Sequence, residues 1–266
     1  RMVGALSKLG TMFIYGNTNT TGLIRTRNFQ LNQLTDSEGL EAENIEKYAH
    51  GMAACFGCTV HCRHKYIVPE GPDAGKHAEG PEYTSQGAFG TEVDVRRVET
   101  TLVGNHWVNK YGIDTLEIGD ALGCAMEMYE KGIINVEDTD GVKLEWGNEA
   151  AVIEMIHRIS KRQGFGSILA DGYKGVKERF GEEVANKYYI HIKGLGNLQS
   201  DERPTPSFAL GIAVSTRGSD HLRSRPAIDL YNLPPDVLQK IYGFPVRTRY
   251  TEYEDKPRMI WWQEAL

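Results

Sequence analysis

Apolar residues recur at three- and four-residue steps in three stretches of the chain, roughly 92–111, 118–131 and 148–162. In the third, Ile153, Ile156 and Ile159 repeat with Val152 beside them, the stripe of an amphipathic helix. Gly112, Gly132 and Gly164 follow these stretches, where helices commonly end on a residue able to turn left-handed. Residues 36–52, rich in Glu, Ala, Ile and Lys, predict another helix leading into a cysteine cluster, and 171–180 predicts one more. Short strands are expected near 12–15 and 187–193, and 208–215 is a lone apolar stretch. Residues 67–90 carry Pro69, Pro72 and Pro81 among several glycines and should be irregular, as should much of the Gly-, Thr- and Asn-rich opening 1–35. Pro204, Pro206, Pro226, Pro234 and Pro235 punctuate the last third. Helix outweighs strand, so the predicted fold class is mainly α.

Length and charge narrow the function classes. A chain of 266 residues can bury one large core or two ordinary ones. No apolar run approaches the roughly 20 residues a bilayer span needs, so no membrane partner is expected. A net charge of −6 with both signs interspersed offers no nucleic-acid surface. A cytoplasmic protein is the expectation. The chain opens at Arg1, and its first thirty residues read like the middle of a longer protein, so an internal fragment is expected.

Three of the four cysteines fall within eight residues, Cys55-Phe56-Gly57-Cys58-Thr59-Val60-His61-Cys62. Four cysteines so distributed make a poor disulfide framework, whereas CxxCxxxC brings three soft thiolates to one place, as an iron–sulfur cluster or a zinc ion requires. No CxxC or HxxxH pair follows at finger-like distance, which disfavours zinc. His61 and His64 are expected beside the site rather than in it. The fourth thiolate is missing: Cys124 sits in an apolar helical stretch and reads as a core residue, so the fourth ligand is expected outside the chain.

Several segments in order carry a resemblance: CFGCTVHC at 55–62, EGPEYTSQGAFG at 79–90, YGIDTLEIGDALGCAMEMYEKG at 111–132, LADGYKG at 169–175, HIKGLGNLQSDERP at 191–204 and ALGIAVSTRGSDHLR at 209–223. Through them the chain resembles the tungsten-containing aldehyde ferredoxin oxidoreductases, whose relatives include the tungsten subunit of class II benzoyl-CoA reductases. The resemblance implies a remnant of a β-rich pterin domain over 1–35, a helical second domain over 36–195 and the start of a mostly helical third domain over 196–266.

It also implies roles residue by residue. Cys55, Cys58 and Cys62 would hold three corners of a [4Fe–4S] cluster, with Arg63 near the anionic cofactor. Asp114, opening DTLEIG, would accept hydrogen bonds from a pterin, and Gly119 would permit close backbone approach; alone, the same Asp reads as a helix cap. Glu82 matches the active-site glutamate, with Glu79 as competitor, and His221 matches the histidine near the metal. Arg223 would contact the cofactor phosphate. The implied cofactors are the cluster, a tungsten or molybdenum bis-pterin, and magnesium at the pterin phosphates. The implied partners are a ferredoxin-like carrier and a small-molecule aldehyde, in a homodimer or a larger complex.

Two departures stand out. Glu154 and His157 reproduce one ExxH metal motif of the family's dimers, but the second, expected near 108–111, lacks its ligands. The ring-reducing relatives ligate tungsten through a cysteine and carry an acidic, histidine-rich loop; by that analogy Cys124 would be a tungsten ligand and His77 with Glu79 would bind a metal. Aromatic ring reduction and a non-catalytic zinc-binding helical module are the alternatives to aldehyde oxidation.

Overall fold

In a computed structural model the described residues are 2–219, 221–222, 233–247, 249 and 252–265. The chain divides into two compact units, one formed by 1–190 with 196–200 and the other by 191–195 with 201–266. The opening 35 residues therefore belong to the first unit.

In the first unit, helices α1 (Met2–Leu9) and α2 (Tyr15–Thr20) flank a 3-10 turn at Thr11–Ile14. A three-stranded antiparallel sheet follows, β1 (Ala49–Ala53), β2 (Arg63–Ile67) and β3 (His77–Glu79), in the order β1-β2-β3. Helices α3 (Tyr83–Phe89), α4 (Val98–Tyr111), α5 (Thr115–Glu130), α6 (Glu149–Ser160), α7 (Phe165–Leu169), α8 (Gly172–Phe180) and α9 (Glu182–Tyr188) complete it. A minimal hairpin, β4 (His191–Ile192) and β5 (Leu195–Gly196), lies where the chain changes units, and the second unit carries α10 (Pro206–Val214), α11 (Pro235–Tyr242) and α12 (Lys256–Glu264). Leu238, Tyr242, Phe244, Val246 and Met259 form that unit's own apolar cluster.

The periodic stretches become α4, α5 and α6 as expected, and the mainly α class holds. Three expectations change. The expected strand near 12–15 is helical, because a four-residue apolar run has no period of its own to decide between states. Residues 36–52 form 3-10 turns at Glu38–Leu40 and Ala42–Lys47 and then strand β1 instead of a helix. Gly39 lies against Arg96, whose carbonyl would sit only 2.3 Å from an added Cβ, and β1 pairs with β2 from across the cysteine loop. The expected strand at 187–193 narrows to His191–Ile192, because α9 runs to Tyr188.

Helix α5 crosses the middle of the first unit, with Leu122, Cys124, Ala125 and Met126 fully buried. Close packing depends on small residues: an added Cβ at Gly119 would stand 2.7 Å from the Ala88 Cβ, and one at Gly104 would stand 2.8 Å from the Phe89 ring. The sheet is pinned to α4 by polar groups. The Tyr66 hydroxyl donates to the Leu102 carbonyl at 2.7 Å, and Asn105 Nδ2 donates to Tyr66 Oη at 3.1 Å and to the Glu79 carbonyl at 2.9 Å. The cysteine hairpin thus grows from a fixed base.

Candidate functional site

The cysteines occupy the loop joining β1 to β2, so the sheet delivers all three from two hydrogen-bonded strand ends. Cys55 and Cys58 are exposed and Cys62 is half-buried, and all three are free thiols. The Cys58 N–H donates to the Cys55 carbonyl at 3.0 Å, closing a turn through Gly57 at φ +71°, a conformation that glycine adopts without strain. The Val60 N–H approaches the Cys58 sulfur at 3.5 Å. Burial, and then the Glu82 carboxylate, push the Cys62 thiol above its ordinary pKa.

Among the described residues, no three His, Cys, Asp or Glu side chains are grouped closely enough to enclose a metal ion. The loop therefore presents the thiols without preassembling them. The donor set nonetheless fits an iron–sulfur cluster: three free sulfurs on one hairpin loop, two of them exposed and one half-buried, with an amide aimed at one of them.

Glu82 stands at the N-terminus of α3 in extended backbone, yet its side chain makes no capping bond. Its Oε2 instead accepts from the Thr11 hydroxyl at 2.5 Å, and the same hydroxyl accepts from the Tyr83 N–H at 2.8 Å. Thr11 thereby locks the carboxylate to the strand-to-helix turn. Burial raises the Glu82 pKa, while the Thr11 bond and the Arg63 charge pull it down. The competitor Glu79 is exposed and paired with Arg63 at 3.2 Å. Arg63 also donates to the Ala54 carbonyl at 3.1 Å, so it braces the cysteine loop. Nothing in the sequence signalled Thr11, which lies 71 residues from Glu82.

Asp114 caps α5, its Oδ1 accepting from the Leu116 and Glu117 amides at 2.8 and 3.1 Å. Gly119 is buried against Ala88 and Gln199, so its close approach serves helix packing. Asp114→Ala should cost about 1 kcal/mol in a urea titration, while Asp114→Asn, which keeps the cap, should cost a few tenths at most.

The remaining candidates separate. Glu154 pairs with Arg158 at 2.7 Å, whereas His157 bonds the Tyr111 hydroxyl at 2.8 Å and meets the Trp107 ring edge-on at 4.5 Å, so the ExxH pair is divided between two partners. Cys124 is fully buried with its sulfur 3.6 Å from that of Met128, and burial drives its thiol pKa well up, leaving an inert core residue. His221 lies in the second unit, edge-on to Phe208 at 6.3 Å. Arg223 lies outside the described residues.

Sequence comparison gives these features a family. Residues 1–266 match the model of aldehyde ferredoxin oxidoreductase, domains 2 and 3. A tungsten-containing aldehyde ferredoxin oxidoreductase of Pyrococcus abyssi is 33% identical over 263 residues, covering 97% of this chain and 40% of that protein. The WOR-like subunit of an aliphatic sulfonate oxidoreductase of Pyrococcus furiosus is 32% identical over 248 residues, covering 90% of this chain and 39% of that protein. The chain thus spans about 40% of the length of these relatives. The fold is similar to that of the BamBC active-site complex of benzoyl coenzyme A reductase, with a TM-score of 0.63, 18% identity, and coverage of 80% of this chain and 31% of that one. With residues 1–266 matched by the family model, the chain belongs to the aldehyde ferredoxin oxidoreductase family, in the region of its second and third domains.

Proposed function

We propose that the whole protein containing this chain oxidises an aldehyde to a carboxylic acid in the cytoplasm and passes the electrons to a ferredoxin-like carrier. The observation that carries this reading is Glu82, a half-buried carboxylate clamped by Thr11 and within electrostatic reach of Cys62. A tungsten bis-pterin would supply two-electron acceptance, and a [4Fe–4S] cluster would export the electrons singly. Within this chain, Cys55, Cys58 and Cys62 would hold the cluster. Asp114 would meet the pterin, and Arg223 its phosphate beside magnesium. One water adds to the carbonyl and two protons leave with the two electrons; Glu82 takes a proton from that water, and the role that the family resemblance gives His221 is that of a proton holder. The names of the Pyrococcus relatives support both the metal and the carrier.

The test is anaerobic purification of the whole protein, with electron paramagnetic resonance of the reduced cluster and dye reduction driven by aldehydes or by an aliphatic sulfonate. A cluster signal, lost in Cys58→Ser, and aldehyde-dependent reduction, retained in Cys124→Ala, are expected. A colourless zinc protein, or reduction of an aromatic ring that Cys124→Ala abolishes, overturns the proposal.

A further inference from the structure

The two arms of the cysteine loop are each held by a side chain from outside the loop. On the first arm, Arg63 reaches back to the Ala54 carbonyl at 3.1 Å. On the second, the Ser7 hydroxyl of α1 donates to the Val60 carbonyl at 2.5 Å, across 53 residues of sequence. Val60 stands between Cys58 and Cys62, and both of its backbone polar groups are engaged: the carbonyl by Ser7, the N–H by the Cys58 sulfur at 3.5 Å. The next residue, His61, has φ +59°, a left-handed conformation that a non-glycine residue keeps only where its surroundings fix it. That turn delivers Cys62, the half-buried member of the three. Helix α1 also packs against this arm at its own end. The chain leaves it at Gly10, φ +63°, where an added Cβ would stand 2.8 Å from the Cys62 carbonyl and 3.0 Å from the His64 ring. Glycine at this point lets the end of the helix come down onto the loop.

From this geometry we infer that Ser7 is a positioning residue for the cluster held by the cysteines: by fixing the 60–61 peptide it keeps the Val60 N–H on the Cys58 sulfur and so raises the cluster's reduction potential. The inference rests on the [4Fe–4S] reading proposed above. An amide hydrogen bond to a ligand sulfur draws electron density from it and favours the reduced, more negative cluster. Without the Ser7 hydroxyl, the left-handed turn at His61 loses the bond that fixes the peptide before it. The arm then relaxes, and the Val60 N–H leaves the sulfur for part of the time. Ser7 acts through Val60 and needs no contact with the cluster itself.

The test is an anaerobic redox titration of the whole protein with dithionite, read by electron paramagnetic resonance of the reduced cluster, in wild type, Ser7→Ala and Ser7→Thr. At the wild-type midpoint the reduced-to-oxidised ratio should fall at least about threefold in Ser7→Ala, a downward shift of about 28 mV for a one-electron couple. Ser7→Thr keeps the hydroxyl and should hold the wild-type midpoint. Ser7 is half-buried in the last turn of α1, so removing one oxygen should leave the circular dichroism spectrum and the cluster content unchanged. A midpoint unmoved by Ser7→Ala, or moved equally by Ser7→Ala and Ser7→Thr, overturns the inference and leaves the cluster reading standing. A wild-type protein that carries no cluster overturns both.

Discussion

In the whole enzyme, Glu82→Gln should lower aldehyde oxidation by about 10^2–10^4-fold, the range a positioned general base contributes, while the spectrum of the reduced cluster stays unchanged. Glutamine keeps the size of the side chain and accepts the Thr11 hydroxyl bond, so the fold at the start of α3 survives while the proton acceptor is lost. Glu79→Gln is the control: it removes an exposed surface ion pair and should change turnover by less than about twofold. The pH dependence carries a sign. Burial raises the Glu82 pKa, and a base works only when ionised, so activity should fall on the acid side at a higher pH than an ordinary carboxylate would impose. Thr11→Val removes a bond that favours the ionised form, so that limb should move further up. Retention of more than a tenth of wild-type activity in Glu82→Gln would remove Glu82 from the mechanism.

What was legible in the chain beforehand follows the range of the interactions involved. Long helices such as α6 are written in local periodicity, and the cysteine spacing alone places three thiols within eight residues of one loop. The stretch 36–52 has helix-favouring composition, but its structure is decided by Arg96 packed on Gly39 and by pairing with β2, neither of which is local. Glu82 is a candidate through its family motif, whereas its partner Thr11 is not, since a lone threonine 71 residues away carries no signal of its own. The same holds for Arg25, read only as part of an irregular opening. It proves to be the largest fully buried side chain of the first unit.

Arg25→Met should destabilise the first unit by about 3–5 kcal/mol, the cost typical of removing one partner from a buried ion pair. The guanidinium, with no exposed surface, meets Glu92 Oε1 at 3.1 Å and Asp120 Oδ1 at 2.5 Å and donates to the carbonyls of Asn197 and Leu198 at 3.2 Å each. It also lies 4.5 Å from the Phe29 ring centroid. Two buried carboxyls face one cation, and burial raises the pKa of both, that of Asp120 most strongly. A carboxyl whose folded pKa exceeds its unfolded value contributes stability that is fully present below the unfolded pKa and lost as pH rises through the folded one. Wild-type stability should therefore decline as pH rises above the ordinary carboxylate range. Arg25→Met should decline more steeply, because the charge that lowered both pKa values is gone. Urea midpoints at pH 5 and pH 8 measure the difference, and adding Glu92→Gln and Asp120→Asn to Arg25→Met should flatten the dependence and recover part of the loss. A loss below about 1 kcal/mol, or one independent of pH, would mean that Arg25 does not neutralise this cluster. Arg25 is bound at once by Asp120 of α5, by Glu92 after α3 and by the 197–198 carbonyls, so one buried side chain ties three segments of the first unit together.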